Sequence, residues 1–250
     1  GIFTSEYRYQ NQSFLIDTLS RKDPYNAVLT TTKVYDNLIR LGSTTVDPLL
    51  DETRSFNYTY NSANQRTRET DASGDYWDFS YDDLGQLTSA QKKLQAGSEI
   101  DGLDYDLTFD EIGNRITASS PLSAETASTY TTNAQNQYTQ RTTPRLIDLL
   151  VEANASAAVT VNSSATTSVG NLFRKQFDYS GEPNPNDPRY ETFSVESTLS
   201  GDAAEDSGKV FLPAHPETFT YDGDRNLLTD GRWTYTCNRE HRSITIETPA

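Results

Sequence analysis

One short string returns again and again along this chain, and such recurrence limits the fold more tightly than composition can. Tyr35-Asp36-Asn37-Leu38-Ile39-Arg40-Leu41 comes back as Tyr81-Asp82-Asp83-Leu84-Gly85-Gln86-Leu87, as Phe109-Asp110-Glu111-Ile112-Gly113-Asn114-Arg115-Ile116 and as Tyr221-Asp222-Gly223-Asp224-Arg225-Asn226-Leu227. Weaker copies are read from Tyr60 and from Tyr130, and a last one from Tyr235. From Tyr35 to Tyr130 the steps are 25, 21, 28 and 21 residues, the length of one β-hairpin each.

The unit has a physical reading. An aromatic closes the incoming strand and is expected to stack on its equivalent in the next hairpin. The Asp or Asn after it can accept hydrogen bonds from turn amides, and Gly85 or Gly113 supplies the positive φ of a tight turn. Leu87, Ile116 or Leu227 then opens the returning strand, expected to point inward. A lone hairpin is marginal in water, so the copies must stack to bury a shared face.

Composition agrees with β structure. The chain has 15 Tyr and 10 Phe, and segments such as Phe56-Asn57-Tyr58-Thr59-Tyr60 alternate as half-buried strands do. A net charge of −15 argues against nucleic acid, whose phosphates need clustered Lys and Arg, and against docking on anionic lipid. No apolar run is long enough to span a bilayer. With Gly1 first and no methionine among the 250 residues, the chain reads as an internal piece of a longer protein. Cys237 is alone, so no internal disulfide is expected.

Four strings carry a likeness to a known family: Tyr81-Asp82-Asp83-Leu84-Gly85-Gln86-Leu87, Asp110-Glu111-Ile112-Gly113-Asn114-Arg115, Asn136-Gln137-Tyr138-Thr139-Gln140-Arg141 and Asp230-Gly231-Arg232-Trp233-Thr234-Tyr235. At this period they resemble the YD repeat of the Rhs family, shared with teneurins and toxin-complex C proteins, over about two thirds of the chain. The resemblance implies an all-β fold of stacked antiparallel hairpins, spiralling into a hollow shell or fibre wall. It also implies a secreted or cell-surface bacterial protein that encloses a toxin or carries adhesive appendages. The family's self-cleaving aspartate motif has no counterpart here. The last copy departs from the family pattern, with Cys237-Asn238-Arg239-Glu240-His241-Arg242 in place of its usual turn.

The expected organisation is a YD-repeat sheet over 1–140, an inserted small β-sandwich over 141–216 and a continuing hairpin over 217–250. Ala157–Asn162, Leu172–Phe177 and Arg189–Glu196 alternate like sandwich strands, Gly181–Pro188 is a loop, and Leu146–Ala153 is compatible with helix or strand. Tyr179, Tyr190 and Phe193 could stack on sugar rings while Asn186 and Asp187 bond hydroxyls; alternatively the rings fill the sandwich core and the loop is a connector.

Other chemistry is thin. His215 and His241 lack a metal-binding partner in sequence. Asp222-Gly223-Asp224 begins like a calcium loop, but Trp233 occupies the twelfth position, where a Glu is needed. Asp104, Asp106 and Asp110 are expected together on a solvent face. No nucleophile motif, phosphate loop or cofactor site is read, and no enzyme is expected. The expected partners are adjoining repeats or identical chains through the strand edges at Ile2–Tyr9 and Arg242–Ile246, with a glycan or cell surface as the alternative ligand.

Overall fold

The computed structural model describes residues 4–22, 28–48, 51–120, 127–184, 186–238, 240 and 242–247, and every regular element among them is a β-strand. The chain divides into two compact units, Gly1–Ile100 and Asp101–Ala250.

The first unit is a meander. Its strands are β1 (Thr4–Tyr9), β2 (Ile16–Lys22), β3 (Val28–Tyr35), β4 (Leu41–Pro48), β5 (Arg54–Tyr60), β6 (Arg66–Asp71), β7 (Tyr76–Tyr81) and β8 (Leu87–Lys93). Each pairs antiparallel with the next. Tyr35 lies opposite Leu41, Tyr60 opposite Arg66 and Tyr81 opposite Leu87, in each case just after a register shift. The extra residue of a bulge increases local twist, so the repeat builds a bend into every second connection. Most side chains on β4, β6, β7 and β8 are half-buried on both faces of the sheet.

The division between units falls within β9 (Glu99–Phe109), which β10 (Arg115–Ser119), β11 (Ser128–Thr132) and β12 (Tyr138–Arg141) follow. Next come β13 (Leu146–Glu152), β14 (Ala158–Val161), β15 (Ser164–Ala165), β16 (Thr167–Val169), β17 (Leu172–Asp178), β18 (Arg189–Leu199) and β19 (Asp202–Leu212). The chain then runs through β20 (Glu217–Thr218), β21 (Thr220–Tyr221), β22 (Leu227–Thr229), β23 (Thr234–Cys237) and β24 (Ser243–Glu247). Strand β12 pairs with β20 across the intervening chain, Gln140 against Thr218 and Arg141 against Glu217.

Residues 146–212 form two sheets, in the orders β13-β17-β16 and β15-β14-β18-β19. They share one core: Ile147 packs with Val161, Phe193 and Leu212, and Leu149, Val151, Phe177, Tyr179, Val195 and Val210 close around them. The ambiguity at Leu146–Ala153 resolves as strand. Paired with β17 along its whole length, β13 turns Ile147, Leu149 and Val151 to the core by period two.

At the base of these sheets the backbone carbonyls of Tyr179 and Pro213 both accept from Arg145, a residue only 2% exposed; its Nη1 lies 2.9 Å from Pro213 O. Its Nη2 meets Glu182 Oε2 at 2.9 Å. The fork of a guanidinium suits this role, because it can satisfy several buried acceptors from one position.

Candidate functional site

The recurrent string folds as a closed five-residue turn. The first residue's N–H donates to the fifth residue's carbonyl at 2.9–3.0 Å in the turns led by Asp36, Asn61, Asp82, Asp110, Asn133, Asp222 and Asn238. In these turns one Oδ of the leading Asp or Asn accepts from the amides of the third and fifth residues, at 2.7–3.1 Å. The fourth position carries positive φ: Ile39, Asn64, Gly85, Gly113, Asn136 and Arg225, from 59° to 90°. This is a type I turn closed by a left-handed residue, whose twist matches the flanking strands. His241 and Arg239, which complete the last turn, lie outside the described residues.

The first and fifth residues are matched chemically, which the sequence reading did not use. In three of the four Asp-led turns the second oxygen accepts from a donor at the fifth position: Arg40 Nε at 2.7 Å, Asn114 Nδ2 at 2.8 Å and Asn226 Nδ2 at 2.8 Å. In the turns led by Asn61 and Asn133 the Nδ2 donates to a glutamine oxygen there, Gln65 at 2.6 Å and Gln137 at 2.9 Å. A carboxylate only accepts and an amide does both, so the pairs are complementary rather than interchangeable.

The turns correct the repeat frame in two places. The residues equivalent to Tyr35, Tyr60 and Tyr81 are Thr132, opposite Tyr138, and Cys237, opposite Ser243. Tyr130 and Tyr235, read as anchors, lie two residues upstream. The fifth copy has moved its aromatic across the hairpin to Tyr138, whose ring meets Tyr130 with centroids 5.4 Å apart.

The anchor tyrosines also do something other than stack on one another. Each hydroxyl donates to the carbonyl that opens the returning strand of the preceding hairpin: Tyr35 to Ile16 (3.2 Å), Tyr60 to Leu41 (2.8 Å), Tyr81 to Arg66 (2.8 Å) and Tyr221 to Tyr138 (2.9 Å). At the shifted copy the Arg115 N–H donates to the Tyr138 hydroxyl instead, at 2.8 Å. The rings lie instead beside guanidinium groups, Arg40 over Tyr60 at 4.8 Å and Arg115 over Tyr130 at 5.6 Å. Phe109 holds its anchor position with no hydroxyl to contribute.

Two further expectations are corrected. Ile116 is 44% exposed, outward rather than inward; the register shift between Arg115 and Thr117 turns the strand there. Asp104 is 2% exposed and does not share a solvent face with Asp106 and Asp110; it accepts from Ser120 Oγ at 2.6 Å and from the Gly102 N–H at 3.2 Å.

The residues considered for sugar contact separate. Phe193 is in the core at 3% exposure and Tyr179 packs against it, where burial raises its phenol. Asn186 and Asp187 lie exposed in the loop. Tyr190 is 47% exposed and pairs its ring with Phe211, centroids 5.4 Å apart. It opens onto a cleft of about 620 Å³ that Arg141, Lys209, Glu217, Asp230, Arg232 and Trp233 also line.

The carboxylates of this cleft have different environments. Burial pushes Glu217 up, against the opposing pull of Arg141, whose Nε lies 2.6 Å from Glu217 Oε2. Burial also acts to raise Asp230, but hydrogen bonds from the Trp233 N–H and the Tyr235 hydroxyl bring it below the ordinary range. Burial, with Asp230 as acceptor, pushes the Tyr235 phenol up to about 12. Both acids are occupied, Glu217 in joining β20 to β12 through Arg141 and Asp230 in closing the β22–β23 connection. The third residue of interest, His215, lies beside Thr143, whose N–H reaches its Nδ1 at 3.2 Å. Among the described residues no group of three or more metal-ligating side chains converges.

The fold and its turns define a class: an all-β protein of tandem antiparallel hairpins, each turn closed by an Asp or Asn side chain and the hairpins tied to one another by tyrosine hydroxyls. Residues 60–93 match the family description of the RHS repeat. That match spans the turns led by Asn61 and Asp82. No curated protein matches the sequence. Among solved structures, one of a TcdB2–TccC3–Cdc42 complex aligns over 98% of this chain at 12% identity and a TM-score of 0.51. A Tc holotoxin pore from Photorhabdus luminescens aligns over 97% at 13% identity, with a TM-score of 0.46. The chain spans 12% of the length of each of these two matched chains. The first of them shares the all-β antiparallel fold.

Proposed function

We propose that this chain is a wall segment of a secreted or surface-exposed bacterial Rhs-type shell or fibre, serving encapsulation or a cell-surface scaffold. In this reading 1–140 and 217–250 belong to the wall and 141–216 is an inserted β-sandwich. The observation that carries it is the repeated turn with its hydroxyl tie to the preceding hairpin. It makes each repeat depend on its neighbour, as a load-sharing wall needs and a diffusible enzyme does not. The partners are adjoining repeats, or identical chains, through strand edges such as β1, where Tyr7 and Tyr9 are 53% and 55% exposed. Open edges recruit strands. Sedimentation velocity of the full chain should show concentration-dependent association that Tyr7→Pro reduces, since proline removes a ladder donor. A monomer at every concentration would refute association through this edge.

A second reading, sugar or cell-surface binding through the insertion, is favoured by one observation. Tyr190 presents an exposed ring at the mouth of a cleft of a size that suits small ligands.

A further inference from the structure

We infer that the cleft beside Tyr190 binds a carboxylated saccharide, one whose pyranose rings carry uronate groups. The inference rests on the second reading above and gives it a ligand class and a place. The place is not the Pro-Asn loop around Asn186 and Asp187 but the cleft where the insertion meets the strands after it.

The charges of the cleft are the first argument. Arg141 is committed to Glu217 by two guanidinium nitrogens. Asp230 is committed to the N–H groups of Arg232 and Trp233 and to the Tyr235 hydroxyl. Arg232 acts on Glu217 only at a distance, and among the described residues no ion pair is formed by Lys209, so the cleft lining of Arg141, Lys209 and Arg232 against Glu217 and Asp230 keeps one positive charge in surplus in a chain of net charge −15. Such a local reversal of sign draws an anion against the field of the whole protein.

The second argument is the geometry around Arg232. Its guanidinium carbon lies 4.7 Å from the centroid of Phe211, 5.0 Å from Trp233 and 5.8 Å from Tyr190. Rings hold it in place, and Nη2 donates to the Tyr190 hydroxyl at 3.1 Å. Nε is buried and meets no acceptor among the described residues. With Nε out of reach and the group held by rings, a carboxylate in the cleft would be met by the η nitrogens, whose N–H groups the Tyr190 hydroxyl does not use up. The third argument is the exposed face of Tyr190, with Trp233 nearby, which supplies the flat apolar surface on which a pyranose ring stacks. A neutral ligand would leave the surplus positive charge unanswered, and a bare small anion would leave the rings unused.

The test is a titration of the full chain with tetragalacturonate, and with the neutral galactose tetrasaccharide of the same linkage. Calorimetry gives affinity, and the indole N–H resonances of the chain's two tryptophans, Trp77 and Trp233, report location. The expected result is that the uronate binds about tenfold or more tightly than the neutral sugar, moves the Trp233 resonance and leaves Trp77 still. Lys209→Gln, on an exposed strand position, should weaken it severalfold without changing the thermal melt, and Tyr190→Ala should weaken both sugars. Equal binding of the two sugars at Trp233 would overturn the carboxylate class while sparing the sugar reading. Binding that leaves Trp233 still would overturn the cleft as the site. No binding of either sugar at millimolar concentration would overturn the sugar reading as a whole.

Discussion

The matching of the first and fifth turn residues makes a sharp prediction at Asp82. This turn has an Asp leader followed by Gln86, whereas the other glutamine-closed turns are led by asparagine, Asn61 with Gln65 and Asn133 with Gln137. In the present turn Asp82 Oδ1 accepts from Leu84 N at 3.0 Å and from Gln86 N at 2.8 Å. Asp82→Ala removes both bonds. Each is worth about 0.5–1 kcal/mol net, and Leu84 is 73% exposed, so water recovers part of the loss. The expected cost is about 1–2 kcal/mol, a fall in Tm of about 2–4 °C per kcal/mol for a chain this long. Asp82→Asn keeps the accepting oxygen and adds the donor that Gln65 and Gln137 receive in the sister turns. It should be neutral or raise Tm slightly. Urea unfolding followed by the fluorescence of Trp77, which lies in the strand leading into this turn, measures both. If Asn costs as much as Ala, the two-position matching is wrong. If Ala costs nothing, the side-chain clamp does not support the turn.

Two other perturbations test the same unit. Ile39 holds φ of 65° at the fourth turn position while 68% exposed; Ile39→Gly relieves about 1–2 kcal/mol of left-handed strain, returns some as unfolded-state entropy and should raise the midpoint, and a lower midpoint would contradict the assignment of strain. The hydrogen bond from Asn114, followed by those of the turn amides, lowers the Asp110 pKa. The native turn therefore favours the charged form, its contribution is complete above the ordinary carboxylate value near ~3.9 and fades as pH falls through the lowered one. Thermal melts of Asp110→Asn between neutral pH and pH 2.5 should lose less stability on the acid side than wild type, and identical profiles would remove Asp110 from the acid response.

Much of the hairpin architecture was legible in the residues, because its causes are local. Alternation of aromatic and polar residues sets the face of each strand, and an Asp or Asn followed three positions later by Gly or Asn closes a turn within five residues. Both are decided by contacts a few bonds away. The frame at Asn133 was legible as well, since Asn133-x-x-Asn136-Gln137 repeats Asn61-x-x-Asn64-Gln65; following the aromatic rather than the turn placed that anchor two residues early, at Tyr130. The same preference for rings misplaced the last anchor at Tyr235.

What the residues could not disclose is whatever one hairpin owes to another. A tyrosine's apolar ring suggests stacking, and only the register between neighbouring hairpins shows that its hydroxyl reaches the backbone carbonyl of Ile16, Leu41, Arg66 or Tyr138. Likewise Asp104 is indistinguishable from Asp106 by alternation alone, and a partner that meets it when buried, Ser120, stands just past the end of the next strand. The cleft at Tyr190 joins residues from β12, β18, β19, β20 and the β22–β23 connection, from Arg141 to Trp233 in the chain. Chain pattern by itself determined the repeating strand and turn, whose energetics are local. The tertiary structure alone decided which tyrosine ties which hairpin and where uncommitted charge collects, because those depend on which strands become neighbours.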